Sequence, residues 1–307
     1  MKERTWAHVG LFTVNLIYGV NYVVAKGLMP DVIGPSGFIL LRILGAGALF
    51  WLLHMFRPER VSIPDLGRMV ACAFFGVALN QMMFFHGLMR TTPINASIIM
   101  VATPILVLVL ASVLLRERIT WWKAIGVLLG AVGALSLILL KTPGDRHGAT
   151  VLGDLFILVN ATSYGIYLVI VKPLMKKYKA TTVMAWCFLF ALFFVLPFGW
   201  SEFGAVDRYA LTTPLWIALG FVVLLVTFLA YLLNTWALGK VSPTVVGTYI
   251  YMQPVLAALS TWVFVRVGPE RLGIPGTYTT EMGLAQALSA VAIFTGVYLV
   301  GRADRVP

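Results

Sequence analysis

Charge is what this chain has least of. Only 11% of its 307 residues are Asp, Glu, Lys or Arg, against roughly 25% in soluble domains. Hydrophobic residues make up 60% of it, and its mean hydropathy is +0.92. That balance excludes a soluble fold and leaves an integral membrane protein. Cysteine is scarce too. Cys72 and Cys187 both fall in apolar segments and read as free buried thiols, not as a disulfide framework. Catalytic signatures are missing: there is no H-E-x-x-H, no G-x-S-x-G and no pair of mid-span acids, which argues against an intramembrane enzyme. No P-loop is present, so ATP does not drive the chain by itself. Nothing in it calls for a cofactor or a metal.

Positive charge, by contrast, is in surplus, and the net charge is +11. With no soluble basic domain to bind nucleic acid, the surplus reads as cytoplasmic loops facing anionic lipid. Spans of about 20 apolar residues can be drawn at 6–27, 33–54, 67–88, 93–115, 119–140, 150–172, 181–200, 212–238, 243–265 and 282–301. The apolar run after Lys2 and Arg4 is read as the first span and not as a cleaved signal, because it carries Asn15, Asn21 and Lys26. Ten spans put both termini on one side. Fifteen Lys and Arg then lie on that side and seven on the other, with Arg42 inside a span. The bias predicts cytoplasmic termini and a multi-pass protein of the inner membrane.

The chain also repeats itself. Pro93 and Pro104 are eleven residues apart, as are Pro243 and Pro254, displaced by 150. The stretch at 18–29 returns at 164–175, displaced by 146. Arg90, Thr92 and Pro93 at the end of span 3 match Lys240, Ser242 and Pro243 at the end of span 8. Spans 5 and 10 match only after an insertion near 266–281, which reads as an exposed loop. The expected fold is therefore all-α: ten transmembrane helices as two inverted five-helix repeats, residues 1–145 and 146–307. Five spans per repeat is odd, so the second copy lies upside down relative to the first.

These landmarks resemble the EamA family of the drug/metabolite transporter superfamily over essentially the whole chain. Tyr18-Gly19-Val20-Asn21 is similar to the family's W-G-x-[NS] signature, with Tyr in place of Trp. Arg42 lies where the family often has Arg in span 2. The stretch 93–115 followed by Arg116-Glu117-Arg118 resembles the family's long span-4 motif, with Arg116 in place of its Gly. Gly153-Asp154 resembles the start of span 6. The Gly-Glu equivalent of the second half is blurred around Glu270. The resemblance implies a secondary transporter, an exporter of amino acids or other small metabolites, with a central cavity between its halves. It does not name the solute or its direction of travel; the alternative is an importer or exchanger of an anionic metabolite that uses Arg42.

Polar residues at mid-span face a bundle interior or a wet cavity. Span 6 carries Asn160, Ser163, Tyr164 and Tyr167 on one helical face. Span 1 carries Asn15, Tyr18 and Tyr22, with Asn21 on the flank. Span 3 adds Asn80 and Gln81, span 8 Tyr231 and Asn234, and span 9 Tyr249 and Gln253. The expected arrangement is a solute cavity lined by these amides and phenols; the alternative is plain helix-to-helix hydrogen bonding. Arg42 stands about 13 Å into span 2 with no acid at its depth. It either binds carbonyls at a packed helix or holds an anionic group of a solute. Without a mid-span carboxylate, carboxylate-coupled transport is disfavoured, and His86 is the remaining proton candidate beside His54. Pro104 and Pro254 are candidate hinges or else fixed bends. Gly126, Gly130 and Gly133 permit close helix approach. Met82-Met83-Phe84-Phe85 is a candidate apolar wall or a lipid-facing surface. The expected partners are a small solute and the bilayer, with the oligomeric state left open.

Overall fold

A computed structural model describes residues 2–91, 96, 99–139, 150–207, 209–267 and 284–304. Pro93, Thr92 and most of the insertion near 266–281 lie outside them. Among the described residues the regular structure is entirely helical. The helices are α1 (Lys2–Leu28), α2 (Pro35–Phe56), α3 (Ile63–Leu88), α4 (Ala102–Leu115), α5 (Trp121–Leu139), α6 (Val151–Val171), α7 (Ala180–Gly204), α8 (Thr213–Leu238), α9 (243–267) and α10 (Leu284–Ala303). Five stretches, Pro35–Phe56, Ile63–Leu88, Val151–Lys176, Ala180–Gly204 and Thr213–Leu238, are long and apolar enough to cross a bilayer. At 22 to 26 residues they reach about 33–39 Å. Ala102–Leu115, Trp121–Gly133 and Ala287–Ala303 are shorter apolar helices.

Packing follows a regular exchange. α1 packs on α8 and α9, and α6 packs on α3 and α4. α2 lies along α7, and α5 lies along α10. Aromatic pairs fill the α2–α7 seam: Phe50 with Phe188 at 5.1 Å and Trp51 with Trp186 at 5.4 Å between ring centroids. The α5–α10 seam is close because of glycine. A Cβ on Gly296 would stand 2.6 Å from the Gly126 carbonyl oxygen and 2.7 Å from the Gly130 amide nitrogen, so only a bare backbone fits there.

α2 and α7 also exchange caps. Glu202, near the end of α7, accepts a 2.9 Å hydrogen bond from the Gly37 amide in the first turn of α2. That supplies the side-chain cap that Gly34 lacks. Glu59, just beyond α2, accepts from the Lys179 amide at 3.0 Å and from Thr182 Oγ1 at 2.6 Å, at the start of α7. Each carboxylate thus sits on the positive end of the other's helix.

Two regularities of the helical pattern are interrupted in matching places. α3 passes through a π-helical turn at Phe74–Ala78, and α8 through one at Val222–Leu229. α9 tightens to a 3-10 turn at Tyr249–Met252 before Gln253 and Pro254 resume the α-helix. α4 likewise starts at Ala102, two residues before Pro104, after a turn at Val101. Both prolines therefore stand in the first turn of a helix, where a missing amide costs little.

Two outcomes follow from this frame. Arg116 ends α4 at φ 55°, the left-handed region, while the Glu117 amide reaches the Ala111 carbonyl at 3.2 Å. Arg116→Gly should relieve that strain and raise stability by about 0.5–1 kcal/mol after the entropy cost of glycine, seen as a higher thermal midpoint in detergent; an unchanged or lower midpoint would refute it. Desolvation pushes the Glu59 carboxyl up, but the Thr182 and Lys179 hydrogen bonds and the Lys179 charge outweigh it and hold it below the ordinary carboxylate value. Its contribution is therefore complete above about pH 4.5 and lost as pH falls through the lowered folded value. Thermal midpoints at neutral pH and below about pH 4 should fall less in Glu59→Gln than in the parent chain, and an equal fall would show that the cap carries no linkage.

Candidate functional site

An opening lined by mid-helix polar groups lies where α1, α2, α3, α6, α8 and α9 converge. It holds about 960 Å³ free of protein atoms, counted out to the solvent. α1 contributes Asn15, Tyr18 and Asn21, three residues apart, so one helical face turns inward. Arg42 comes from α2, Asn80 and Gln81 from α3, Asn160 and Tyr164 from α6, Tyr231 and Asn234 from α8, and Gln253 from α9. Apolar walls come from Val14, Ala25, Phe84, Phe85, Leu88, Met100, Val226, Val246 and Ile250.

The lining is cross-linked between helices. Asn234 Nδ2 donates to the Tyr164 hydroxyl at 2.7 Å, and Gln253 Nε2 to Asn15 Oδ1 at 3.1 Å. Asn15 Nδ2 in turn holds the Leu11 carbonyl at 2.7 Å. Gln81 Nε2 donates to the Tyr231 hydroxyl at 3.3 Å. Asn160 Nδ2 donates to the Asn80 carbonyl at 2.8 Å.

The π turns explain how such bonds arise. A π turn skips a regular i to i−4 hydrogen bond and so leaves a carbonyl free for another partner. In α3 the Phe75 carbonyl accepts from Ser163 Oγ at 2.6 Å, and the Gly76 carbonyl from the Tyr231 hydroxyl at 3.3 Å. In α8 the turn brings Thr227 Oγ1 to the Val222 carbonyl at 2.7 Å and, on its other side, to Arg42 Nε at 2.9 Å.

Arg42 is 4% exposed. Besides Thr227 it meets two rings: its guanidinium carbon is 5.5 Å from the Phe38 centroid and 5.2 Å from that of Phe85. No carboxylate pairs with it among the described residues.

Two expected lining residues stand elsewhere. Tyr167 is buried below the cavity, its hydroxyl 3.0 Å from Thr235 Oγ1 and its ring against Gly76. It shares the face of Asn160 and Tyr164 but lies a turn deeper. The Tyr249 hydroxyl meets His8 Nδ1 at 2.9 Å. Tyr249 and Gln253 would share an α-helical face, but the intervening 3-10 turn advances about 120° per residue and separates them, so Val246 and Ile250 line the cavity instead. The side chain of Tyr22 lies outside the described ones. Of the candidate apolar wall, Phe84 and Phe85 line the space and Met82 and Met83 do not. His86 and His54 are outside the lining too: His86 Nε2 is 2.8 Å from Ser36 Oγ, and His54 Nδ1 is 3.3 Å from Thr182 Oγ1. Thr227 went unread in the sequence, although it is the lone hydroxyl in the apolar run between Pro214 and Tyr231.

Comparison with known proteins agrees with this architecture. The EamA-like transporter family model matches twice, at residues 5–139 and 151–302. An uncharacterized transporter of Bacillus subtilis, YetK, is 28% identical over 87% of this chain and 82% of its own length. An uncharacterized transporter of Archaeoglobus fulgidus is 24% identical over 92% of this chain and 97% of its own. A WAT1-related protein of Arabidopsis thaliana is 22% identical over 98% and 86%. A solved crystal structure superposes with a TM-score of 0.71 over 97% of each chain at 18% identity, so the fold is shared. With its apolar helices and both matches to the family model, the chain is a multi-pass membrane transporter and belongs to the EamA-like transporter family.

Proposed function

We propose that this transporter exports small metabolites, amino acids among them, across the cytoplasmic membrane by alternating access through the central cavity. Ten membrane spans in two inverted repeats, residues 1–145 and 146–307, would rock about that cavity. The observation that carries the reading is the convergence of polar side chains from both halves on one space: Asn15, Tyr18, Asn21, Arg42, Asn80 and Gln81 from the first, Asn160, Tyr164, Tyr231, Asn234 and Gln253 from the second. The exchange packing of helices, the matched π turns and the reciprocal Glu59 and Glu202 caps support a repeated frame. Pro104 and Pro254, each just past an interrupted turn, are suited to act as hinges. No acid lines the cavity among the described residues, which favours solute flow down its gradient over a carboxylate proton relay.

A scaffold or an intramembrane enzyme would have no use for this space as a passage, and flux separates the classes. Purified protein in liposomes should take up or release labelled metabolites; an intact fold with no flux for any of a broad panel would end the transport reading. Asn234→Leu removes the donor to Tyr164 at the cavity wall. It should lower flux about tenfold, the worth of one lost polar contact to a bound solute, with folded yield preserved. Unchanged flux would remove Asn234 from the site. Reporter fusions should place both termini in the cytoplasm, and reporters on opposite sides would overturn the ten-span count.

A further inference from the structure

Among the described residues that line the cavity, Arg42 alone is charged. Arg42 spends Nε on Thr227 at 2.9 Å, and its guanidinium carbon lies near the Phe38 and Phe85 rings. The terminal N–H groups have no acceptor among the described residues, and Arg42 lines the open space. A guanidinium held by one nitrogen and free at its fork has the geometry that receives a carboxylate in two parallel hydrogen bonds.

The rest of the lining adds no second charge: no Asp, Glu, Lys or His stands among the described lining residues. A cation would meet Arg42 unscreened, and a fully apolar solute would leave its fork unpaired. A phosphate dianion would carry a second negative charge that no other lining cation meets.

We propose that the cavity selects its solute by a single carboxylate seated on Arg42. Small monocarboxylates satisfy that demand, and Phe84, Phe85 and Val226 accommodate their apolar parts. This assignment rests on the transport reading and gives it a substrate class.

The test is a set of solutes that share one apolar body and differ in charge: phenylalanine, 3-phenylpropionate, phenylalanine amide, 2-phenylethylamine and phenyl phosphate. Binding to the full-length protein in neutral detergent is measured by calorimetry, and uptake is measured in phosphatidylcholine liposomes. The two carboxylates should bind about tenfold or more tightly than the amide and the amine, the scale of a charge-assisted hydrogen bond. Arg42→Gln should erase that preference, and Arg42→Lys should restore part of it. Should Arg42→Gln fail to fold, Thr227→Val serves: it unties the guanidinium but keeps its charge, so affinity should drop severalfold while carboxylates remain preferred. Equal binding of the amide and the carboxylates, no binding by any of the five, or tighter binding of phenyl phosphate would each overturn the assignment. Displacement of 3-phenylpropionate by phosphatidylglycerol would show that the fork holds a lipid headgroup, and would overturn it too. Flux that ignores charge would sink the Arg42 assignment and leave transport standing, whereas no flux for any metabolite would sink both.

Discussion

A bilayer core offers no water to a polar group, so each amide, hydroxyl and carbonyl inside it must find a protein partner or face a wet space. This constraint organises the molecule. The π turns of α3 and α8 release carbonyls, and side chains take them: Ser163 of α6 and Tyr231 of α8 on α3, and Thr227 within α8 itself. The bonds that satisfy the backbone are thus the bonds that hold α6 and α8 against α3. Where the scheme stops, the amide oxygens of Asn21, Gln81 and Asn160 stay buried with no hydrogen-bond partner among the described residues, and these three residues stand in the cavity wall.

Arg42 is the sharpest case. A charge at mid-span costs about 2.5–3.5 kcal/mol on insertion scales. One hydrogen bond to a charged group returns about 1.5–3 kcal/mol, and each ring face returns about 0.5–2 kcal/mol. Thr227, Phe38 and Phe85 together therefore offset the burial without using the terminal nitrogens. The structural and the solute-facing readings of this residue do not compete. The tether makes burial tolerable, and because it occupies Nε alone the fork stays open. An acidic partner would have neutralised the charge more completely and closed the fork at the same time.

Most of the cavity was legible as polar residues at helical spacing, because polarity inside an apolar span is a strong signal and periodicity assigns its face. Asn15, Tyr18, Asn160, Tyr164, Tyr231 and Asn234 were found that way. Periodicity gives angle but not depth, so Tyr167, on the face of Tyr164, lies one turn too far along α6 and packs under Gly76. Periodicity also assumes one helix type. The 3-10 turn at Tyr249–Met252 changes the angle per residue and carries Tyr249 round to His8. The π turns had no local signature, since what stabilises them is the partner that claims each freed carbonyl. Thr227 was hidden for the same reason: its role exists only through Arg42, 185 positions away.

The duplicated pattern has one further consequence. Where the two halves agree they supply frame: glycine contacts between α5 and α10, exchanged caps between α2 and α7, and interrupted turns before Pro104 and Pro254. Where they disagree they supply chemistry. Arg42 has Phe188 near its matching position, and Asn21 has Tyr167. Arg42 and Asn21 border the cavity, whereas Phe188 and Tyr167 are each 1% exposed and packed away from it. Under the proposed alternating access, a frame that moves between two equivalent arrangements would need its halves alike, because each would adopt the other's packing. Under the proposed carboxylate seat, the site would need its halves unlike, because a symmetric lining would offer a carboxylate two equal forks. The charge on α2 has no match at Phe188, and its tether to Thr227 joins α2 to α8 beside the cavity.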